Sequence, residues 1–308
     1  MKNSKLSLDI GSVERETGIG KDALRMWEKR YGFPQPSRNM NGERLYPQEQ
    51  VDRLRLIKCL MGNGMRPSRI VGLQLDELTA LMGPVATGSQ VYPDEAKLLL
   101  GLIKEHQAPA LQLALSRMLL QKGLHDFLTG TIAPLNQLVG EAWMQGEIHV
   151  FEEHLYSGII MSVLRNAISS INDPGGSPKV LLTTLPGEAH ILGLLMAEAT
   201  LCMNGADCVT LGAQTPIQDL VSATRAHCSD IVVLSFSSAA NPTLVKSSLL
   251  QVRKVLPQNI QLWVGGEGVS RTRMTEEGIR LMGPLTDLTS AVDEWRKMQP
   301  ESGQAPAN

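Results

Sequence analysis

The sequence predicts a multidomain α and α/β protein of three parts: a helix-turn-helix with a β-wing, a four-helix bundle, and an open, doubly wound parallel sheet. Hydrophobic residues make up 43% of the 308 residues and aromatic residues only 4%, a balance typical of helices and α/β layers. The apolar spacing is helical over residues 94–171 and then changes to short apolar runs that alternate with helices. Stretches rich in Gly, Pro and Ser separate these patterns, and the length favours more than one core.

These changes of pattern set the predicted boundaries. The predicted order is a helix-turn-helix domain over 1–80, a linker over 81–93, the bundle over 94–172, a second linker over 173–178, the α/β domain over 179–298 and a disordered tail over 299–308.

Charge is distributed unevenly along the chain. The net charge is −2, but residues 1–70 contain 14 Lys and Arg against 8 Asp and Glu. The remaining residues contain 15 Lys and Arg against 23 Asp and Glu. A basic N-terminal part on an acidic body indicates that the first domain binds nucleic acid.

The sequence favours a cytoplasmic protein that does not span a membrane. No apolar run reaches the roughly 18 residues of a membrane-spanning helix, and residues 1–9 are too polar for a signal peptide. The four cysteines have no CxxC spacing, so we expect ordinary buried thiols rather than a zinc site or a disulfide framework.

The first part of the chain predicts a helix-turn-helix. Ser12 is the expected N-cap of a short helix over 13–17, which Gly18 ends. After a Gly-Ile-Gly turn, a second helix is predicted from Lys21 to Tyr31.

A β-wing is predicted over residues 32–47. Two prolines exclude a helix there, and Asn41-Gly42 favours a type I′ hairpin turn. A further helix is predicted over 48–60, with Val51, Leu54, Leu56 and Ile57 facing the core, and another begins near Arg66.

A helix of this kind fits the major groove of DNA, where polar side chains reach base edges and flanking cations contact phosphates. The candidate DNA-binding residues are Arg25, Lys29 and Arg30 on the second helix and Arg38, Arg44 and Tyr46 in the wing.

This part of the chain resembles the MerR family of transcription regulators. The resemblance rests on Leu-Arg-Met-Trp-Glu-Lys-Arg-Tyr-Gly at residues 24–32 and Gly-Glu-Arg-Leu-Tyr at 42–46, and it covers about residues 8–75. It implies a winged helix that reads pseudo-palindromic double-stranded operator DNA as a dimer. The long C-terminal dimerisation helix and effector cysteines of the metal-sensing members do not occur here, so metal sensing is not implied.

The middle and C-terminal parts follow two further patterns. Helical blocks lie near 94–106, 108–122, 124–146 and 150–171, which favours an antiparallel bundle. Apolar runs at 180–182, 208–211, 231–235 and 262–266 alternate with helical blocks at 190–204, 216–227 and 243–255, which predicts βαβ units in a parallel sheet.

A histidine follows the first predicted strand of this sheet. Ligands of open α/β sheets bind at the carboxyl edge, where we expect His190. Glu188 is placed to accept a hydrogen bond from one ring nitrogen and so make the other a better metal ligand. Gly193 removes a side chain where a large ligand approaches.

Together with the third and fourth strand ends, this loop resembles the cobalamin-binding domain, whose pattern is Asp-x-His-x-x-Gly, then Ser-x-Leu/Thr, then Gly-Gly. The resemblance implies that His190 is the lower cobalt ligand and Glu188 its orienting partner. It also implies contacts to the nucleotide tail of the vitamin from Gly193, Ser235, Ser237, Gly265 and Gly266. Glu188 is one methylene longer than the usual Asp.

A second motif lies in the bundle: Trp143 is followed by nine residues and then by Glu153 and His154. It resembles the CarH/LitR light-responsive regulators, in which such a bundle caps the upper face of adenosylcobalamin. The resemblance implies that Trp143 packs over the adenosyl group and that Glu153 and His154 complete its pocket. In those relatives a His commonly follows the Trp, whereas this chain has Met144, a weaker ligand that leaves a light response open.

These observations predict a regulator rather than an enzyme. We expect an adenosylcobalamin-dependent repressor that binds its operator as a dimer or tetramer, with the vitamin clamping the bundle onto the α/β domain. One alternative is a regulator whose cobalamin-like domain binds no vitamin and serves protein contacts. A more remote one is a cobalamin-dependent enzyme or methyl carrier, which the winged helix and the lack of a barrel-sized catalytic domain or a known catalytic motif disfavour.

Overall fold

The computed structural model describes residues 7–62, 65–81, 92–238, 240–270, 274 and 276–299. The chain forms two compact units, one of Met1–Ala114 with Gly130–Gly158 and one of Leu115–Thr129 with Ile159–Asn308. The predicted linker near 82–90 and all but the first residue of the predicted tail lie outside the described residues.

The first unit begins with the predicted helix-turn-helix and wing. Its elements are β1 (Ser7–Asp9), α1 (Ile10–Thr17), α2 (Lys21–Tyr31), β2 (Ser37–Arg38), β3 (Arg44–Pro47), α3 (Gln48–Gly62), α4 (Pro67–Ile70) and α5 (Leu75–Leu81). The three strands form an antiparallel sheet in the order β1-β3-β2. Leu24 and Trp27 of α2 are buried in one core with Leu54 and Ile57 of α3, so burial of apolar faces fixes the two helices together.

Two local predictions in this region are wrong. The N-cap of α1 is Asp9, whose carboxylate accepts from the N–H groups of Gly11 and Ser12 at 2.8 and 3.0 Å, while Ser12 lies inside the helix. The wing turn is not type I′. It runs from Asn39 to Gly42, and of these residues only Gly42 has a positive φ. The turn is longer than the two-residue turn predicted at Asn41-Gly42, because the Asn39 carboxamide oxygen accepts from the backbone N–H of Glu43 and so stabilises it.

The predicted helical blocks are confirmed. They are α6 (Asp94–Lys104), α7 (Ala108–Lys122), α8 (Leu124–Phe127), a π-helical turn (Leu128–Ile132), α9 (Ala133–Met144) and α10 (Val150–Ile171). The block predicted over 124–146 is thus divided at the π-turn. Helices α7 and α10 each contribute residues to both units, so the domain bounds predicted for the bundle remain a prediction.

The α/β part of the second unit is an open parallel sheet, as predicted. Its elements are β4 (Lys179–Thr183), α11 (Leu192–Met203), β5 (Asp207–Gly212), α12 (Ile217–Ala226), β6 (Ile231–Ser235), α13 (Pro242–Val255), β7 (Gln261–Gly265), α14 (Glu267–Ser270), β8 (Ile279–Leu281) and α15 (Thr286–Met298). The strand order is β5-β4-β6-β7-β8. The sequence did not predict the last strand or the last helix; β8 is short and only half-buried, so it lacks the apolar run of the other strands.

The stretch predicted as a second linker, 173–178, is anchored to the α/β part. The Ser177 N–H donates to the Gly205 carbonyl at 3.0 Å, and the Arg296 guanidinium donates to the Ser177 carbonyl. In the described part of the chain, none of the helices combines the length and the apolar character that crossing a membrane requires.

Candidate functional site

The exposed side of α2 carries the predicted DNA-binding cations. Arg25, Lys29 and Arg30 are all exposed, whereas Leu24 and Trp27 on the opposite side are buried. Arg25 makes an exposed contact with Asp22 at 3.3 Å, and such surface ion pairs contribute little stability. These three cations are therefore available to phosphates and base edges.

The wing is attached to α2 through Arg44. The Arg44 Nε donates to the Glu28 carboxylate at 2.9 Å, and this hydrogen bond raises the pKa of the Arg44 guanidinium. The Arg38 Nη1 donates to the Gly42 carbonyl at 2.8 Å, which keeps the Arg38 side chain close to the wing turn. Arg38 is exposed and Arg44 half-buried, so Arg38 is the more accessible wing cation.

The structure does not support Tyr46 as a phosphate contact. Its side chain is 0% exposed and belongs to the core of the winged helix. Alternation along β3 turns the ring inward, and burial raises the pKa of the Tyr46 hydroxyl. This hydroxyl is buried, and no described residue offers it a hydrogen bond.

We expect Tyr46→Phe to leave operator affinity unchanged. The substitution removes a buried hydroxyl that has no partner in the described part of the chain, so the free energy of unfolding should be unchanged or rise by up to about 1 kcal/mol. Thermal unfolding and fluorescence anisotropy with labelled DNA measure both quantities. A folded variant with weakened DNA binding would show that the hydroxyl reaches DNA after all.

The second site lies at the carboxyl edge of the parallel sheet. β4, β6 and β7 are adjacent, with Thr183 paired to Leu234 and Ser235 paired to Gly265. Because all three strands run in the same direction, the loops that follow them lie side by side. This register brings the segments around 184–191, 236–238 and 266–268 to one edge.

Glu188, His190 and Ser237 form a hydrogen-bonded cluster at this edge. The His190 Nδ1 lies 2.6 Å from the Glu188 Oε1, and the His190 backbone N–H donates to the same oxygen at 2.9 Å. The backbone N–H and the hydroxyl of Ser237 both donate to the Glu188 Oε2, each at 2.8 Å. Glu188 is 4% exposed, whereas the His190 side chain is 63% exposed.

The electrostatics of this cluster favour one histidine tautomer. Burial would raise the pKa of the Glu188 carboxyl, but the hydrogen bonds from His190 and Ser237 outweigh burial and hold this pKa below its ordinary value. An ionised carboxylate only accepts hydrogen bonds, so the His190 Nδ1 donates to Glu188. In the neutral form of an imidazole held in this way, Nε2 has the lone pair and is suited to binding a metal.

The glycines around the cluster leave the space that a side chain would fill and let neighbouring backbone segments pack closely. A Cβ added to Gly193 would lie 3.2 Å from the Ser235 Oγ, and one added to Gly266 would overlap the Phe236 carbonyl oxygen. The Gly193 position, next to the Ser235 hydroxyl, fits the backbone approach expected for a nucleotide tail. Together with the exposed imidazole, these residues fit a cobalamin.

The sequence motif predicted that Ser237 contacts the nucleotide tail. In the structure its hydroxyl donates to the Glu188 carboxylate and lies 3.1 Å from the His190 Nδ1. The sequence contains no signal for this contact, because it joins residues 49 positions apart.

The bundle residues lie in the first unit. Glu153 accepts from the Ser157 hydroxyl at 2.5 Å and lies 2.8 Å from the His154 Nδ1, and the His154 side chain is 73% exposed. Trp143 is half-buried at the end of α9, with the Arg55 guanidinium 5.7 Å from its ring. Arg55 was not among the predicted site residues, although it follows the core residue Val51 by one helical turn and therefore falls on the apolar face of α3.

Comparison with known proteins agrees with these features. Residues 8–76 match the model of the MerR HTH family regulatory proteins. The chain is 29% identical to the HTH-type transcriptional repressor CarH of Myxococcus xanthus over 255 residues, 81% of this chain and 85% of that protein. It is 28% identical to the transcriptional repressor CarA of the same organism, over 77% of this chain and 79% of that protein.

The fold is also similar to a solved structure. The monomethylamine corrinoid protein of Methanosarcina barkeri aligns with a TM-score of 0.51 and 13% identity, over 68% of this chain and all of that protein. At this identity the likeness shows a shared fold.

Proposed function

We propose that this chain, whose residues 8–76 belong to the MerR helix-turn-helix family, is a transcriptional repressor that binds operator DNA and responds to a cobalamin. The observation that carries the proposal is the Glu188, His190 and Ser237 cluster at the carboxyl edge of the sheet. The similarity of the chain to CarH and CarA over most of its length supports the same role. We propose no catalytic activity for it.

In this proposal the residues of the sheet edge would hold the vitamin. His190 would bind cobalt through a ring nitrogen, and Glu188 and Ser237 would keep its ring in the required tautomer and orientation. Gly193, Ser235, Gly265 and Gly266 would contact the nucleotide tail. The bound vitamin would supply a cobalt–carbon bond that light breaks in alkyl forms.

The adenosyl form is the proposed physiological ligand. Trp143 offers a flat apolar surface for adenine, and Glu153 and His154 offer polar groups for ribose hydroxyls. Since Met144 stands where light-responsive relatives commonly carry a His, we propose sensing of the vitamin as the primary role and light as a second input. We also propose that the active form is a homo-oligomer, a dimer or a tetramer.

Two measurements test the proposed function. Purified chain incubated with adenosylcobalamin and then desalted should keep the visible absorbance of a corrinoid. In a gel-shift assay, the same preparation should bind a DNA duplex from the region upstream of its own gene. The fraction of DNA bound should depend on the vitamin. A colourless protein, or a shift that ignores the vitamin in the dark and after illumination, would refute the proposal and favour a domain that serves protein contacts alone.

Lys29→Ala should weaken binding to all DNA sequences about equally. A phosphate contact contributes to affinity through counterion release, so the slope of log affinity against log salt concentration should fall in magnitude by about 1. Lys246→Ala removes the same charge from an exposed position in the second unit and serves as the matched control. An unchanged salt slope in Lys29→Ala would exclude a phosphate contact there.

A further inference from the structure

The end of α9 packs against α3 of the DNA-binding domain, within the first unit. The Arg55 guanidinium of α3 lies 5.7 Å from the centroid of the Trp143 ring, and the Cys59 Sγ lies 3.6 Å from the Met144 Sδ. Just beyond α9, a Cβ added to Gly146 would lie 3.2 Å from the Asp52 Oδ1. We call this surface of α3, formed by Asp52, Arg55 and Cys59, the α3 dock.

Arg55 holds the dock to the helix-turn-helix. Its side chain is 0% exposed, and its guanidinium pairs with the Glu16 carboxylate of α1 and, at 3.2 Å, with the Asp52 carboxylate. A buried guanidinium is costly unless its partners are in place, so a shift at Arg55 is transmitted to α1 and α3. Both helices belong to the domain that presents α2 to DNA.

The dock also contains buried polar atoms that find no hydrogen-bond partner among the described residues. These atoms are the Arg55 Nε, the Trp143 Nε1 and the Gln48 Oε1, and the Gln48 amide donates to Asp52. A buried polar atom without a partner is costly, because it loses its hydrogen bonds to water and gains none in return. A contact with this cost is easily exchanged for another arrangement, which is a property of switching elements.

From these contacts we infer that the α3 dock is an interaction surface for the end of α9, through which Trp143 couples ligand binding to the position of the DNA-binding domain. The inference rests on the proposed function, because it takes Trp143 as a contact of the adenosyl group. A ligand that moves the Trp143 ring changes its contact with Arg55, and Arg55 passes the change to α1 and α3. The coupling is reciprocal, so operator DNA changes cobalamin affinity by the same factor.

The native Cys59 permits a direct test. In a Cys228→Ser background, which removes an exposed thiol, Met144→Cys places a second thiol opposite Cys59. A two-carbon bis-methanethiosulfonate then joins the end of α9 to the dock. The matched control carries Cys59→Ser with the same two substitutions and receives the same reagent. Fluorescence anisotropy with a duplex from the upstream region gives operator affinity with and without adenosylcobalamin.

In the chain without cross-linker, operator affinity with adenosylcobalamin should differ from operator affinity without it. We call the ratio of the two affinities the coupling factor, and such factors are typically about 5- to 150-fold. We expect the cross-link to bring this factor to about one and a thiol reductant to restore it, while the treated control keeps it. Cobalamin uptake, read from visible absorbance, should persist in the cross-linked chain. A cross-linked chain that takes up the vitamin and retains the full factor overturns the inference alone.

A second variant tests the dock by disrupting its contact with α9 rather than fixing it. Cys59→Phe places a larger side chain where the Met144 Sδ now lies, while Cys59→Ser keeps the size of the native residue. Cys59→Phe should lose the coupling factor and Cys59→Ser should keep it. Equal coupling in both variants contradicts the inference, whereas a parent chain that takes up no vitamin refutes the proposed function itself.

Discussion

Replacing His190 by Ala should lower cobalamin affinity by more than about 100-fold, because partners that only orient a metal-binding histidine already contribute about 10- to 100-fold. The exposed His190 ring is held by the buried Glu188 carboxylate, so the variant loses the axial nitrogen and leaves Glu188 without its histidine partner. Equilibrium dialysis with adenosylcobalamin measures the affinity. Operator binding without the vitamin should not change.

Isotope labelling identifies the axial nitrogen directly. When the bound cobalt is reduced to its paramagnetic divalent form, an axial nitrogen splits its electron paramagnetic resonance lines. A chain labelled with ¹⁵N-histidine should convert the triplet splitting to a doublet. His227→Ala, at an exposed histidine of the same unit, should behave as the parent chain. A triplet that survives labelling would assign the axial position to the vitamin's own base.

Gly266→Ala should destabilise the second unit by about 2–6 kcal/mol, since it combines backbone strain with overpacking. Gly266 has a φ of 98°, a region that side chains rarely adopt, and an added Cβ would overlap the Phe236 carbonyl oxygen. Phe236 precedes Ser237, so its displacement should move the Ser237 hydroxyl from Glu188 and reduce cobalamin uptake. Chemical unfolding and visible absorbance measure the two effects.

The adjacent glycine provides the control. A Cβ added to Gly265 would lie 3.6 Å from the Met282 Cβ, an ordinary contact, and Gly265 has no positive φ. Gly265→Ala should therefore change the free energy of unfolding by less than about 1 kcal/mol. A similar loss of unfolding free energy in both variants would indicate that the backbone conformation of Gly266 is not the cause of the destabilisation.

The sequence by itself determined where most helices and strands lie, although it misplaced two local details, the N-cap of α1 and the type of the wing turn. The apolar spacing and the flanking glycines predicted α2 with its observed bounds, Lys21–Tyr31. The alternation of strands and helices predicted the parallel sheet, and the position of His190 after β4 predicted that it lies at the carboxyl edge. These predictions succeeded because periodicity and turn residues act over a few neighbouring positions.

Only the tertiary structure decided which distant residues meet. It placed Ser237 on Glu188, buried the Tyr46 hydroxyl in the core, and brought Arg55 to Trp143 across 88 positions of sequence. Asp9 rather than Ser12 caps α1, because the chain leaves β1 at Asp9 and the carboxylate there reaches the first N–H groups of the helix. Such contacts depend on strand register and on how elements pack, and neither is encoded in the spacing of nearby residues.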